Sequence, residues 1–207
     1  MKKLAILGAS GHGRVIADAA LLSGQWQEVL FFDDAFPQLT QNGGYQVKGN
    51  SADLVQSGVP AVVAIGDNKI RFQKSNWLLQ NQVELVSIVH PAAVIASDSK
   101  IGAGTVVFAG AVVNAGARIG QHCIINSRAV IEHDCVLGDA VHVSPGASLG
   151  GNCQLADGAW VGIGAAVRHG TSIGEFAIVG TGAAVVKKVH PHEVVVGVPA
   201  RPLKKNG

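Results

Sequence analysis

Charged residues are scarce in this chain. They make up 14% of its 207 residues, and the net charge is only +2. No basic run is longer than two residues, which argues against a nucleic-acid-binding protein. Aromatic residues reach only 5%, whereas the chain is 48% apolar and has 27 glycines, so its core must consist of small and aliphatic side chains. A chain of this length can form one large or two small domains.

Long apolar runs are also missing. The run in the N-terminal MKKLAILGASGHGR ends at Gly8 and is followed by Arg14 and Asp18, so it is too short for the core of a signal peptide. No stretch approaches the roughly 20 apolar residues of a membrane-spanning helix. The three cysteines include no CxxC pair and indicate neither a disulfide framework nor a zinc site. These observations predict a cytoplasmic protein without membrane insertion or a metal.

A period of six residues runs without interruption through the second half of the chain. Every sixth residue from Val89 to Val185, seventeen positions in all, is Ile, Leu or Val. The position four residues later is Ala, Ser, Thr or Cys in fifteen of the first sixteen hexads, with Val141 as the exception. A helix repeats about every 3.6 residues and a half-buried strand about every 2, so neither explains the pattern. A period of six indicates a parallel β-helix, whose coils are stabilised by their neighbours.

Three hexads per coil would give about 5.7 coils, each rising ~4.8 Å along the axis. The small residues are expected where the chain turns tightly at the corners. Cys123, Cys135 and Cys153 all occupy this small position, which predicts structural cysteines and not nucleophiles.

The first eighty-odd residues alternate between strand-like and helix-like segments. KKLAIL, EVLFFDD, AVVAIG and ELVSIV are predicted strands, and helices are predicted in RVIADAALLSG, from Ser51 or Asp53, and in DNKIRFQKSNWLLQNQ. The alternation indicates a small parallel sheet. The glycine-rich turn GASGHG after the first strand, and the acids that end the second, form a Rossmann-like phosphate-binding arrangement. Its spacing is not the usual GxGxxG, so glycines needed only for the geometry of the turn are the alternative interpretation.

The hexad pattern and the closing GVPAR at 197–201 resemble the hexapeptide-repeat acyltransferases, whose coils form a left-handed triangular β-helix. With GASGHG, FFDD and AIGDNKIR added, nearly the whole chain resembles the PglD/NeuD-type nucleotide-sugar acetyltransferases, in particular the UDP-4-amino-sugar N-acetyltransferases that make diacetylated bacillosamine. The resemblance implies an α/β, Rossmann-like parallel-sheet domain over residues 1–86 that holds the nucleotide sugar. An all-β left-handed parallel β-helix over residues 87–207, with a C-terminal tail, would hold acetyl-CoA as co-substrate. The resemblance also implies a homotrimer.

The segment VIEHDCVLG at 130–138 places a histidine and an aspartate beside a corner of this β-helix. With Ile131 pointing inward, Glu132 points outward and His133 lies close to the next corner, on the surface. Asp134 is adjacent and could orient the imidazole and raise its basicity. The resemblance places the general base of the family in the same segment. His133 is therefore the predicted general base and Asp134 its partner, with direct attack of the sugar amine on the thioester.

His142 follows His133 by nine residues, which is half of an eighteen-residue coil. The two side chains should leave the β-helix on roughly opposite sides, so a site that uses both must lie between subunits. This arrangement agrees with the trimer that the resemblance implies.

The resemblance also assigns binding roles to other residues. Predicted contacts to acetyl-CoA are His142, Gly151, Ile163 and Thr181, and Lys187, Lys188 and Arg201 either reach its phosphates or are solvated charges. Predicted contacts to the nucleotide sugar are Ser10, Gly11 and His12 at the pyrophosphate, Asp33 and Asp34 at the nucleoside, Gly66 at the pocket border, and Asn126 at the acceptor sugar. A hydrogen-bond ladder between coils is the alternative role for Asn126. His122 and His169, which have no adjacent carboxylate, are expected on the surface.

Three functions remain compatible with the sequence. The first is N-acetylation of a UDP-4-amino sugar. The second keeps acetyl-CoA but uses another acceptor, either a GDP-linked amino sugar or a sialic acid hydroxyl. The third is a non-catalytic β-helix assembly protein or nucleotide-binding module, in which His133 would have no function.

Overall fold

The fold was obtained as a computed structural model that describes residues 2–203. Met1 and the final four residues of the predicted C-terminal tail lie outside the described residues. An α/β region is followed by a parallel β-helix, which agrees with the predicted fold class. No helix within residues 2–203 is long and apolar enough to cross a membrane.

The α/β region contains a three-stranded parallel sheet with three helices and a short antiparallel hairpin. Its elements are β1 (Lys3–Leu7), α1 (Gly11–Leu22), β2 (Glu28–Phe32), β3 (Gln41–Asn42), β4 (Tyr45–Gln46), α2 (Ser51–Ser57), β5 (Ala61–Val63) and α3 (Asn68–Gln80). The sheet order is β2-β1-β5. Residues of β1 are apolar at every buried position because both faces of the sheet are covered: Leu4 and Ile6 pack on the side of α1, whereas Ala5 and Leu7 pack on the side of α2 and α3.

The predicted fourth strand, ELVSIV, is mostly absent from this sheet. Only Leu85 bridges to Ala61. The end of the segment, Ile88–Val89, instead pairs with Val106–Val107 as the first strand of the β-helix. The apolar run was therefore correctly predicted to be extended, but it connects the α/β region to the β-helix.

The β-helix has three faces, each a sheet of parallel strands, and successive strands along the chain move from face to face. Face I contains β6 (Ile88–Val89), β9 (Val106–Val107), β12 (Ile124–Ile125), β15 (His142–Val143), β18 (Trp160–Val161), β21 (Ile178–Val179), β23 (Val194–Val196) and the antiparallel β24 (Arg201–Pro202). Face II contains β7 (Val94–Ile95), β10 (Val112–Val113), β13 (Val130–Ile131), β16 (Ser148–Leu149), β19 (Ala166–Val167) and β22 (Ala184–Val185). Face III contains β8 (Lys100–Ile101), β11 (Arg118–Ile119), β14 (Val136–Leu137), β17 (Gln154–Leu155) and β20 (Ser172–Ile173).

The pairing register confirms the eighteen-residue coil. Val113 pairs with Ile131, and Ile131 pairs with Leu149, so each apolar residue stacks on the one eighteen positions away. The last coil is shorter, because Ile173 bridges to Val189 and Val179 pairs with Val195. The hexad series therefore ends at Val185, where the structure leaves the strict repeat.

The expectation that the small residues of the hexads make the tight turns is wrong. They point into the interior, where Cys123, Cys135 and Cys153 are all buried and free. The residue before each of them carries the left-handed backbone that turns the corner; His122, Asp134 and Asn152 have φ of 57°, 58° and 59°. Burial raises the pKa of the Cys123 thiol to about 12, which agrees with a structural role.

The α/β region packs on face I. Ile88, Val106 and Ile124, the outward-facing residues of its first three strands, are buried in the same apolar cluster as Ile16 and Ile6. The next outward residues along this face are His142 and Trp160. The α/β region therefore lies on the same face as His142, one of the predicted binding residues.

Candidate functional site

The exposed corner between faces II and III carries the His133–Asp134 pair. His133 Nδ1 lies 2.9 Å from Asp134 Oδ2, and both side chains are largely exposed, at 62% and 67%. The hydrogen bond to Asp134 raises the pKa of His133 above its usual value, with a smaller effect from the charge of Glu132. Because an ionised carboxylate only accepts, Nδ1 carries the proton and Nε2 keeps its lone pair in the neutral imidazole. The pair can thus take up a proton from a substrate at Nε2.

His142 lies on face I, half-buried and fixed on two sides. Its ring stacks on the indole of Trp160 at 5.7 Å with only 5° between the planes. The indole N–H of Trp160 in turn donates to Ser144 Oγ at 2.8 Å. His142 Nε2 lies 3.2 Å from Asn126 Nδ2. This environment leaves the imidazole little freedom to rotate.

The tautomer of His142 follows from the amide of Asn126. Asn126 Oδ1 accepts a hydrogen bond from the backbone N–H of Ser127 at 2.8 Å, so Nδ2 faces His142 as a donor. His142 Nε2 must then accept, and Nδ1 carries the proton. This buried Nδ1 has no hydrogen-bond partner. Burial, followed by the charges of Arg71 and His12, lowers the pKa of His142 to about 3, so the ring offers a neutral N–H donor.

Asn126 makes one side-chain contact between coils, from its Nδ2 to His142 Nε2 on the next coil. The residues directly one coil before and after Asn126 are Phe108 and Ser144, so asparagine is not repeated along this corner.

His12 lies at the start of α1, next to face I. Its ring meets Phe108 edge-to-face at 5.6 Å, and its Nε2 is buried without a partner. Burial and the nearby Arg71 lower the pKa of His12 to about 4. Since the charge of His12 also influences His142, the structure brings together two of the predicted binding residues that are 130 positions apart in sequence.

The glycine-rich turn has structural reasons for two of its glycines. Gly8 has φ of 117°, and a Cβ on Gly13 would meet Gly8 O at 2.4 Å where α1 approaches the sheet. Gly11 is different, because a Cβ there would meet only the tip of Arg14 at 3.9 Å. Ser10 is the N-cap of α1, but its hydroxyl makes no capping bond. The exposed Ser10–Gly11 backbone is thus the open part of this turn.

Asp33 and Asp34 already have partners. Asp33 accepts hydrogen bonds from the backbone N–H groups of Ala9 at 2.7 Å and Ala35 at 2.9 Å, so it holds the glycine-rich turn in place. Asp34 pairs with Lys74 and accepts from Ser51 N. Burial alone would raise the pKa of Asp34, but the hydrogen bonds from Lys74 and Ser51 lower it overall. A ligand that binds Asp34 must replace Lys74 or share the carboxylate with it.

The remaining predicted residues occupy four places on the surface. Gly66 is exposed beside β5, and nothing would meet a Cβ there. Gly151 lies on the corner of His133, one coil later, whereas Ile163 and Thr181 lie on the corner between faces I and II. Lys187, Lys188 and Arg201 line one cleft of about 250 Å³ at the C-terminal end of the β-helix. With His142 on face I, one subunit thus distributes the predicted acetyl-CoA contacts over one face, two corners and one end.

Arg71 and Asn68 of α3 attach the α/β region to the β-helix, a role that the sequence did not reveal. Arg71 is 1% exposed and donates to the backbone oxygens of His122 and Ala140, at 2.8 and 2.7 Å, and to Ile65 and Gly66 at the end of β5. It also donates to Asn68 Oδ1, while Asn68 Nδ2 donates to Gly158 O at 3.0 Å. Helix α3 thereby binds three successive coils at the corner between faces III and I. The sequence of α3 did not predict this burial, because polar residues along one side of a helix ordinarily mark the solvent-exposed side.

The expectation that His122 lies on the surface is wrong. The side chain is 2% exposed and packs over Gly104, one coil earlier. Helix α3 covers this corner, and burial, helped by Arg71 and opposed by Asp139, lowers the pKa of His122. His169, in contrast, is exposed as expected.

Known proteins resemble both regions of the chain. Residues 3–78 match the family described as PglD N-terminal domain, and residues 116–151 match the family described as bacterial transferase hexapeptide (six repeats). A UDP-N-acetylbacillosamine N-acetyltransferase of Bacillus subtilis strain 168 is 38% identical over 115 residues. That alignment covers 53% of this chain and 52% of the relative, so the chain matches about half the length of this curated protein.

Two solved structures align with almost the whole chain. The acetyltransferase domain of PglB from Neisseria gonorrhoeae FA1090 is 36% identical, with a TM-score of 0.92 and coverage of 98% of this chain and 100% of that one. The same domain has been solved in complex with acetyl coenzyme A. PerB from Caulobacter crescentus, in complex with CoA and GDP-perosamine, is 32% identical with a TM-score of 0.93, covering 99% of this chain and 98% of PerB.

No group of His, Cys, Asp and Glu within the described residues could hold a metal ion.

Proposed function

This chain belongs to the PglD-type family of hexapeptide-repeat sugar acetyltransferases, and from this premise we propose that it acetylates the amino group of a UDP-4-amino sugar with His133 as general base. It is an acetyl-CoA-dependent sugar acetyltransferase. The observation that carries the proposed mechanism is the 2.9 Å hydrogen bond between His133 Nδ1 and Asp134 on an exposed corner.

The amine of the sugar attacks the carbonyl carbon of the acetyl thioester. A C–N bond forms, the amine proton passes to His133 Nε2, and the C–S bond breaks to release coenzyme A, whose thiolate receives the proton. Asp134 stabilises the imidazolium that forms in this step. General-base assistance of this kind contributes ~10²–10⁴-fold.

His142 supplies the second part of the mechanism. Its unpartnered, neutral Nδ1–H is suited to donate a hydrogen bond to the thioester oxygen as negative charge develops there. The stacked Trp160 and the amide of Asn126 hold this donor in one orientation. Because Nδ1 is buried in the single chain, the side chains that cover it must move before the thioester oxygen can reach it.

The complete site requires a second copy of the chain. His133 lies on the corner between faces II and III, and this corner is opposite face I, which carries His142, Asn126 and the α/β region. A homotrimer that places the II–III corner of one subunit against face I of its neighbour brings the base to the nucleotide sugar. Three equivalent sites would then lie at three interfaces.

The α/β region is proposed to bind the nucleotide sugar. The open backbone at Ser10 and Gly11 would face the diphosphate, and the buried Nε2 of His12 would reach it only after the surrounding side chains move. Asp34 would accept a hydrogen bond from the nucleoside once Lys74 is displaced. The cleft with Lys187, Lys188 and Arg201 is suited to the phosphates of the coenzyme. A GDP-linked amino sugar is the second candidate acceptor, since the similar PerB was solved with GDP-perosamine.

Release of free thiol from acetyl-CoA, measured against a panel of acceptors, tests the proposal. The panel contains UDP- and GDP-linked amino sugars and free sialic acid, and the His133→Ala variant is the matched control. We expect turnover with a UDP-4-amino sugar and a fall of ~10²–10⁴-fold in kcat for His133→Ala. Turnover with GDP-linked sugars alone would overturn the UDP assignment, and full activity of His133→Ala would overturn the base.

A further inference from the structure

Gly151 lies directly beneath the imidazole of His133. It follows His133 by one coil of eighteen residues, on the same corner. A Cβ built on Gly151 would lie 2.4 Å from Nε2, 2.6 Å from Cε1 and 3.0 Å from Cδ2 of His133. The only atoms that such a Cβ would approach this closely are those of the imidazole, and the nearest is the nitrogen that the mechanism uses.

The backbone of this position does not require glycine. Gly151 is not among the glycines with positive φ. In all of the remaining hexads from Ala103 to Thr181, the equivalent position carries a side chain. These residues are Ala103, Ala109, Ala115, Gln121, Ser127, His133, Asp139, Pro145, Asp157, Ile163, His169, Glu175 and Thr181. Gly151 is the single glycine in that series. The reason for glycine is therefore specific to its neighbour and not to the turn.

We infer that Gly151 is a positioning residue: its missing side chain makes the space in which the His133 imidazole can lie with Nδ1 on Asp134. This inference rests on the proposed role of His133. Any larger residue at 151 pushes the ring outward, since the side chain of His133 is free to rotate at this exposed corner while the coil backbone is not. The hydrogen bond to Asp134 is then lost, and the lone pair of Nε2 no longer points where the amine is bound.

The inference differs from a direct contact between Gly151 and acetyl-CoA. In that case alanine at 151 would hinder the co-substrate whether or not an imidazole is present. If Gly151 acts only through His133, alanine at 151 has no effect once the imidazole has been removed. A double-mutant cycle separates the two roles.

The experiment uses the full chain, in which His133→Ala, Gly151→Ala and the double variant are compared by kcat, by KM for acetyl-CoA and by thermal unfolding. We expect Gly151→Ala to lower kcat by ~10²-fold, the usual penalty for a misplaced group, with little change in KM. In the His133→Ala background it should lower kcat no further. An equal fall in both backgrounds, or a rise in KM alone, would overturn the inference. Gly44→Ala, at a hairpin position where a Cβ meets nothing, controls for loss of a glycine.

The imidazole itself provides a readout that does not depend on activity. Its NMR resonances, assigned by their absence in His133→Ala, should titrate in Gly151→Ala with a pKa moved down toward the ordinary value of histidine, because Asp134 no longer holds the ring. An unchanged titration would overturn the inference. If His133→Ala kept full activity, the proposed base would be wrong, while the titration would still decide whether Gly151 sets the position of the ring.

Discussion

The histidines of this protein differ in the protonation state that their surroundings favour. His133 is exposed beside a carboxylate that stabilises its cation, whereas His12 and His142 are half-buried near the cation of Arg71 and are held neutral. The same residue type is thus suited to accept a proton in one environment and to donate a hydrogen bond as a neutral group in another.

The pH profile should respond to Asp134. A general base works when neutral, so activity should rise with pH through a midpoint above the ordinary histidine value, because Asp134 raises the pKa of His133. In Asp134→Asn the midpoint should move down, and kcat at high pH should fall because the base is weaker. Asp98→Asn is the matched control, since Asp98 occupies the same corner position two coils earlier. A profile of kcat/KM between pH 5 and pH 9 that is identical for both variants would contradict the assignment.

Protein stability should fall as pH decreases from about 6.5 to about 4. His12 and His142 have folded-state pKa values of about 4 and about 3, so the unfolded chain binds more protons than the folded one in this window. Each such proton changes the free energy of unfolding by ~1.4 kcal/mol per pH unit. Urea unfolding at pH 5 and pH 7 measures the difference. His12→Gln should reduce the slope, and an unchanged slope would show that His12 is not held neutral.

Single residues were predictable where they belong to the repeat. The inward and outward directions around Ile131, and hence the exposure of His133, follow from the hexads alone. The burial of His122 did not, because it depends on α3 lying over that corner, a contact between residues 51 positions apart. The fit of Gly151 beneath His133 is likewise visible only once the coil length fixes which residues stack.

At the scale of elements, α3 fixes the α/β region to the β-helix. Its buried Arg71 and Asn68 donate hydrogen bonds to backbone oxygens of three successive coils, so the helix is attached along the same coils that carry the candidate site. The position of His12 relative to His142 depends on this attachment as well as on the apolar cluster at face I.

Arg71→Met should destabilise the protein by ~3 kcal/mol or more, since it leaves several buried carbonyl oxygens without a donor. The free energy of unfolding from urea titration measures this loss. Lys74→Met on the same helix removes a partly exposed ion pair with Asp34 and a cation–π contact with Trp77, and should cost only ~1 kcal/mol. Equal losses in the two variants would contradict the role of Arg71. Arg71→Lys should recover part of the difference because it keeps the charge but not the forked geometry.

Sequence patterns predicted most elements of the α/β region but not the junction. ELVSIV has the apolar pattern of a strand, and a pattern does not state which sheet the strand joins. Two of its residues joined the β-helix because face I needs a first strand on which β9 can pair. The polar face of α3 was equally ambiguous, since a pattern cannot distinguish water from carbonyl oxygens as partners.

At the scale of the whole molecule, the candidate site is divided between opposite sides of one chain. Hybrid trimers test this division. His133→Ala and His142→Ala subunits should each have low activity, and mixed trimers should regain part of it, because some interfaces then contain both intact histidines. Mixing two preparations of the same variant is the control. Thiol release that does not rise above the sum of the parent variants in verified mixed trimers would contradict a shared site.

The uniform coil also acts as a ruler. Three coils separate His133 from the lysines at the C-terminal cleft, a height of roughly 14 Å along the axis. A deletion or insertion of a few residues between them would rotate every later side chain to another face. A duplication of one entire coil would instead keep all faces aligned and move the cations ~4.8 Å farther from the base. If the proposed base and the cations of the cleft hold the two ends of the co-substrate, its reach is set in whole steps by the number of coils.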